Sequence, residues 1–507
     1  MQREAAPVFF LTASEAYPAL EKAFLEAKTE VLGSFRVFDP ETKLRSEAGL
    51  KIGDTWADLM RHVVGKGVKV TLRISDFDPI VGTELHSGTH ASVRGFREAV
   101  GETDLFDVRP ALHTAQMGIF PRLMLWPRTY IELRRHAAKL RDMTQPERNA
   151  ALRDVPGLRK MMRGETAHLR ARAFPPPTVH PATHHQKLAI FDGKKLYVGG
   201  LDLDERRYDT LAHDQSGDQT WHDVQVMMTG APAKAAHDYL TAFVADDFEA
   251  LRAPFPGLLR TYSEQRRFRA LYLSPRPVLN EIEQAHMAGF KRARRLIYLE
   301  TQFFRDTKLA DKLCKAGRAN SELQVIIVLP AAPDDLAFEN SKGSDVRYGE
   351  YLQAKCLDQL KQTFGERLFI AATAQPRRTT DTARAQLDGA PLIYVHAKVS
   401  VFDDDTAIIS SANLNGRSMK WDTEAGVLLD NADDVARLRE RCFEHWYGGE
   451  APAEFKDPAT AVATWRALAD ANQAKVPEER TGFILPYSTS PARKLGRNLP
   501  GAPEELV

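Results

Sequence analysis

Two histidine–lysine pairs are the residues of this chain best equipped for chemistry, and they recur at a fixed separation. His185-Gln186-Lys187 leads to Asp192 and His396-Ala397-Lys398 leads to Asp403, so both copies read His-x-Lys-x4-Asp. The separation is 211 for the histidines (396 − 185), the lysines (398 − 187) and the aspartates (403 − 192), and it holds again from Asp202 to Asn413 (413 − 202). A neutral imidazole can attack phosphorus and a protonated one can donate to a leaving oxygen, while ammonium groups hold non-bridging oxygens as positive point charges. Two of each suit a phosphodiester. Lysine supplies the charge that a metal would otherwise bring, so neither a metal nor a cofactor is expected. Neither half makes a site alone; the two must meet in one cleft.

Alternation specifies the elements that position these groups. Residues i and i+2 of a strand share a face, so His185 and Lys187 project together, Ala189 and Phe191 continue that face, and Leu188 and Ile190 pack behind it. Asp192-Gly193 signals a tight hairpin with positive φ at both central residues. The return strand brings Gly199, Gly200 and Asp202 beside the first pair, as it brings Ser411 and Asn413 beside the second. Asn413 and Ser411 can donate to a phosphate, whereas Asp202 repels one unless it faces a lysine. An imidazole acting as base or nucleophile also needs an acceptor on its other nitrogen. Asp223 and Glu424 occupy comparable places after the two hairpins. At the turns, Asp192 and Asp403 belong to the motif, with structure competing with chemistry as their role.

The paired motifs resemble the signature of the phospholipase D superfamily. Gly199-Gly200-Leu201-Asp202-Leu203, Arg207-Tyr208-Asp209, Trp221-His222-Asp223-Val224 and Tyr298-Leu299-Glu300-Thr301-Gln302-Phe303-Phe304 resemble the choline-releasing phospholipases D of plants and animals in particular. The resemblance implies an α/β fold of two pseudo-twofold-related lobes, each a central mixed β-sheet flanked by helices. It implies catalytic roles for His185, Lys187, His396 and Lys398 together with the motif aspartates Asp192 and Asp403. Asp223 and Glu424 resemble the family's imidazole-holding carboxylates, and Gly200, Asp202, Ser411, Asn413 and Gln302 are the further substrate-side candidates. By the same resemblance His185 is the nucleophile and His396 the acid; the symmetry of the motifs leaves the residues themselves silent on that point. The activity implied is hydrolysis of phosphatidylcholine-type lipids through a phosphatidyl-histidine, with transfer to alcohols alongside. The alternatives are a cardiolipin synthase-like phosphatidyltransferase, a phosphodiesterase nuclease, and a catalytically dead lipid-binding scaffold.

Along the chain, the expected first lobe spans residues 8–255, the second 265–450 and a C-terminal tail 451–507. Strands are expected at Phe9 to Leu11, Val31 to Phe38, Val68 to Ile74, Ala270 to Leu273, Leu296 to Phe304 and Leu323 to Leu329, with helices between them; Thr12 and Glu15 read as a capping box. Matching Leu32 to Tyr298 gives an offset of 266 (298 − 32), 55 more than at the motifs (266 − 211), so the first lobe carries an insertion at about residues 105–180, without a clean strand. From Arg122 to Arg172 it holds thirteen Lys or Arg against five Asp or Glu, with Phe120, Leu123, Met124, Leu125 and Trp126 at its start. A basic, partly apolar lid on an anionic bilayer is one reading and a solvated helical excursion the other.

Other features bound the partners. The formal charge of +1 gives no global pull toward nucleic acid, and none is expected; a phospholipid membrane surface is the expected partner of a monomer holding both half-sites. Cys314, Cys356 and Cys442 are too few and too scattered for a disulfide framework. The N-terminal residues lack a signal-peptide apolar core, and no run reaches the 18 apolar residues of a membrane span. The expectation is a soluble protein that acts at a membrane surface. His86-x3-His90 is expected in a loop near the cleft mouth, and His180 and His184 on its rim.

Overall fold

The computed structural model describes residues 5–164, 168–268, 270–339, 343–380 and 383–507. Residues 1–4, where the N-terminal reading begins, and residues 165–167 of the insertion lie outside that set.

Two mixed sheets share one topology. The first contains β1 (Val8–Leu11), β2 (Glu30–Phe35), β3 (Lys69–Asp76), β4 (Phe106–Leu112), β5 (Leu188–Phe191), β6 (Lys195–Gly199) and β7 (Val224–Met228), in the spatial order β1-β7-β6-β5-β2-β3-β4. The second contains β8 (Leu259–Glu264), β9 (Arg276–Asn280), β10 (Leu296–Thr301), β11 (Gln324–Leu329), β12 (Leu368–Thr373), β13 (Lys398–Phe402), β14 (Thr406–Ser410), β15 (Glu424–Leu429) and β16 (Ile484–Pro486). Its order is β9-β8-β15-β14-β13-β10-β11-β12-β16, so the seven strands from β8 to β12 repeat the first sheet and β9 and β16 extend its edges. Register makes the repeat quantitative. Val31 faces Phe191 and Ile297 faces Phe402, so the offset is 266 on the inner strand (297 − 31) and 211 on the motif strand (402 − 191).

The alternation of β5 resolves into two cores. Leu188 and Ile190 join an apolar cluster that also takes Tyr298, Val399, Ile409 and Trp446 from the second lobe, whereas Ala189 and Phe191 pack with Tyr17, Phe24 and Trp56 on the outer face. A third cluster packs Ile297, Leu299 and Ile327 under the second lobe's outer helices. Helices, sheet, shared core, sheet and helices therefore follow in layers, each sheet face buried as a parallel inner region requires. The shared core is what holds the lobes face to face.

Several local expectations change. Ala270 to Leu273 is irregular, and the strand lies later, at β9. The insertion is not strandless: Phe106–Leu112 pairs in parallel with β3. The Thr12 hydroxyl makes no cap; Glu15 instead accepts from the Leu11 N–H at 2.8 Å, with Thr12 at φ 68°. Residues beyond 451 contribute β16 and the helix Ala461–Gln473, whose Val462 and Trp465 enter the shared core. All three cysteines are buried and free. Among the described residues no helix is long and apolar enough to cross a membrane.

Candidate active site

His185 stands three residues before the first residue of β5, with Lys187 directly before it, and His396 stands two residues before the first of β13, where the lobes touch. The backbone joins them there by matching bridges: His185 N–H donates to Thr423 at 2.8 Å, and His396 N–H donates to the His222 carbonyl at 2.7 Å. These contacts carry Asp223 and Glu424, the residues after His222 and Thr423, across the seam. His185 Nδ1 lies 3.0 and 3.1 Å from the two Glu424 oxygens, and His396 Nδ1 lies 2.6 Å from Asp223 Oδ2. The pairs are crossed, because each imidazole is held by the other lobe's carboxylate. Fixing Nδ1 in this way leaves Nε2 of both rings for chemistry.

The lysines lie beneath the histidines and are almost wholly buried. Lys187 Nζ donates to the His185 carbonyl at 2.7 Å and sits 3.8 Å from Asp202 Oδ1; Lys398 Nζ donates to the His396 carbonyl. Asp202 therefore faces a lysine, is approached by Arg36 at 3.6 Å, and accepts from the Val37 N–H. Burial disfavours every charged form here. Desolvation pushes the Glu424 carboxyl up to about 8 and that of Asp223 up to about 7, pulls Lys398 down to about 7, lowers Lys187, and holds both imidazoles well below their usual range. An entering phosphodiester supplies the negative charge that favours the ammonium and imidazolium forms.

Both histidines line a cleft of about 380 Å³, with Arg36, Arg207, Arg305 and Arg417 among its walls. Asn413 lines it as well, its Oδ1 buried without a hydrogen-bond partner among the described residues. Gln302 reaches it while donating to the Tyr394 hydroxyl at 2.7 Å. Ser411 differs from expectation: its hydroxyl donates to Glu424 Oε2 at 2.5 Å and is fully buried, so it steadies the carboxylate and does not face substrate. The matching position in the first lobe, Gly200, lies against Asp223 and Lys398, where a Cβ would come within 2.4 Å of Asp223 Oδ1.

Asp192 and Asp403 stay out of the cleft, which corrects the catalytic role read from the motif. Both adopt left-handed φ, 50° and 53°, at the hairpin tips. Asp192 accepts from the backbone N–H groups of Lys28, Thr29 and Glu30, and Asp403 from those of Arg294, Arg295 and Leu296. Each clamps the start of the neighbouring inner strand. His86 and His90 lie on the helix Thr83–Val100, paired with Asp76, rather than in a loop. His184 is buried against Thr423, and His180 bonds the His113 carbonyl; neither forms the cleft rim. Arg36, Arg305 and Arg417 escaped the sequence reading, and Arg207 entered it only within the Arg207-Tyr208-Asp209 likeness; Arg206, which the 211-residue register pairs with Arg417 (417 − 211), is not part of the cleft wall.

Comparisons with known proteins bear on the family and the fold. The family model described as "Cardiolipin synthase, PLD-like domain" matches residues 286–446. Human Phospholipase D1 is 27% identical over 317 residues, covering 50% of this chain and 28% of that protein. Phospholipase D alpha 3 of Arabidopsis thaliana is 24% identical over 360 residues, covering 47% and 43%. The chain thus spans less than half the length of these relatives. The crystal structure of a phosphatidylserine synthase from Haemophilus influenzae superposes with a TM-score of 0.50 at 12% identity, over 92% of this chain and 93% of its own, a likeness of fold.

Proposed function

Because this chain belongs to the phospholipase D superfamily, we propose that it hydrolyses phosphatidylcholine-type glycerophospholipids to phosphatidic acid and the free head group. The observation that carries this reading is the crossed pair of imidazole–carboxylate contacts above two buried lysines in one cleft. In the first step neutral His185 Nε2 attacks phosphorus; the phosphorus–oxygen bond to the head-group alcohol breaks, and protonated His396 gives its proton to the departing oxygen. In the second step water loses a proton to the now neutral His396 and attacks phosphorus, releasing His185 and phosphatidic acid. Lys187, Lys398 and Asn413 hold the non-bridging oxygens as charge builds. Asp335 and Asp345 on the cleft wall supply negative charge suited to a cationic head group, while the rings of Trp221 and Phe303 already carry the guanidinium groups of Arg207 and Arg305 at 3.7 and 3.8 Å.

The insertion supports a membrane surface as partner. The helix Ile119–Asp142 leaves Phe120 55% and Met124 81% exposed beside a run of arginines, and its His136 bonds Thr83, two residues from Leu85 of the cleft wall. Apolar side chains rimmed by basic ones suit an anionic bilayer. Phosphatidyl transfer to an alcohol is the second reading, favoured by the cardiolipin synthase description of the matching family.

The test is choline release from phosphatidylcholine vesicles by the unaltered protein, His185→Ala and His396→Ala, with a rapid denaturing quench at alkaline pH to trap the acid-labile phosphorus–nitrogen adduct. Release should fall by at least ~10³-fold in both variants, and a phosphatidyl adduct should form on the unaltered protein and never on His185→Ala. Release retained in either variant refutes the mechanism. A glycerol-dependent lipid product in place of phosphatidic acid selects the transferase.

A further inference from the structure

Behind the cleft, at the seam of the lobes, three imidazoles converge with no part in the mechanism above. His213 and His222 are fully buried and His445, on the helix Ala432–Tyr447, is partly so. One nitrogen of each ring lies within 4.8 Å of the others, and His213 Nε2 is 3.0 Å from His445 Nε2. Ring centroids are 5.8, 5.1 and 4.7 Å apart. A tetrahedral ion with metal–nitrogen distances of about 2.0–2.1 Å holds imidazole centroids about 5.2 Å apart, close to the mean of those three.

The surroundings match a metal site as well. His213 Nδ1 pairs with Asp209 at 2.7 Å and His222 Nε2 with Glu300 at 2.9 Å, the outer carboxylates that set tautomer and ring orientation in metal-bound histidine. His222 Nδ1 is buried and without a hydrogen-bond partner among the described residues. Asp209 and Glu300 are fully buried, and among the described residues neither pairs with a lysine or arginine. Two buried carboxylates need compensating charge, and a single dication balances them.

We propose that His213, His222 and His445 form a tris-imidazole site for a zinc-type divalent cation, fastening the first lobe's Trp221-His222-Asp223 segment to the second lobe's helix. Three neutral imidazoles with carboxylate partners select a borderline ion such as Zn²⁺ or Co²⁺ over Mg²⁺ or Ca²⁺, which prefer oxygen. On binding, His445 moves its proton from Nε2 to Nδ1, so each ring offers one lone pair. The ion would brace Asp223, the residue that leads into β7, from behind.

The test uses the full chain, stripped by chelator and titrated with Co²⁺ and with Zn²⁺. Readouts are metal retained after gel filtration, the visible Co²⁺ absorption of a four-coordinate site, and the melting temperature. The unaltered protein and His90→Gln should retain one equivalent at this site and melt higher with Zn²⁺. His445→Gln should lose that equivalent, its absorption and the thermal gain, with affinity down at least ~10-fold. His213→Gln should do the same, and if it fails to fold, the partly exposed His445 still decides the matter. Retention of no metal by the unaltered protein, or of as much by His445→Gln as by the unaltered protein, overturns the site.

Discussion

Gly200→Ala is the perturbation whose cost can be worked most directly. An added Cβ would lie 2.4 Å from Asp223 Oδ1 and 2.9 Å from Lys398 Cδ, where 3.0 Å is the closest a Cβ tolerates and 3.4 Å the start of ordinary contact. The carboxylate must therefore retreat by 0.6 to 1.0 Å (3.0 − 2.4 and 3.4 − 2.4). The same carboxylate binds His396 Nδ1 through its other oxygen, Oδ2, at 2.6 Å, so a displacement of the whole group along that bond would stretch it to 3.2 Å or beyond, the limit of useful N–H···O geometry. A misplacement of that size in a reacting group costs about 10²-fold in rate. Choline release should fall by about that factor at saturating lipid, with KM little changed, because the imidazole loses its orientation and not its place in the cleft. Gly200→Ser should do no better: the second lobe tolerates Ser411 because its hydroxyl donates to the longer Glu424 side chain at 2.5 Å. A Gly200→Ala protein turning over within about threefold of the unaltered one would refute the claim that the Asp223–His396 contact positions the acid.

Asp403→Ala removes three carboxylate-to-backbone bonds of 2.7, 2.8 and 2.8 Å and should cost about 2–4 kcal/mol in chemical denaturation, while turnover per folded molecule changes far less; a catalytic loss matching that of His396→Ala would restore the aspartate to the chemistry. Burial raises the Glu424 carboxyl from 4.5 to about 8, so the fold holds a proton that the unfolded chain gives up and stability falls as pH rises through that window. Glu424→Gln should equal the unaltered protein in denaturation midpoint at the acid end of the window and exceed it increasingly toward the alkaline end, yet turn over more slowly; parallel midpoints across the range would contradict the raised carboxyl. Replacing both Phe120 and Met124 by Glu should lower activity on vesicles by at least ~10-fold more than activity on dispersed short-chain lipid, measured side by side; equal losses would detach the insertion from the membrane.

The repeat was legible because strand physics is local. A two-residue period, a turn dipeptide and a constant spacing need no knowledge of the rest of the chain, so the motif hairpins and the 211- and 266-residue offsets follow from the residues themselves, whereas the meeting of His185 with His396 in one cleft was a demand of the chemistry that the docked lobes fulfil. Family likeness of Trp221-His222-Asp223 and Tyr298 to Phe304 pointed to the right neighbourhood without its contacts. What depended on docking two lobes was hidden. Glu424 lies 239 residues from the histidine it holds, and Asp223 lies 173 from its own; neither separation carries a period. The swap arises because the lobes, packed face to face, are bridged at the site by the His185–Thr423 and His396–His222 backbone bonds, which place each carboxylate on the far side of the seam. The same docking brought His445 of the second lobe to His213 and His222, which lie nine residues apart in the first (222 − 213). Sequence determined which groups could do chemistry and the strands that carry them, and tertiary structure decided which partner each one faces, because partners across a seam are chosen by packing and not by order along the chain.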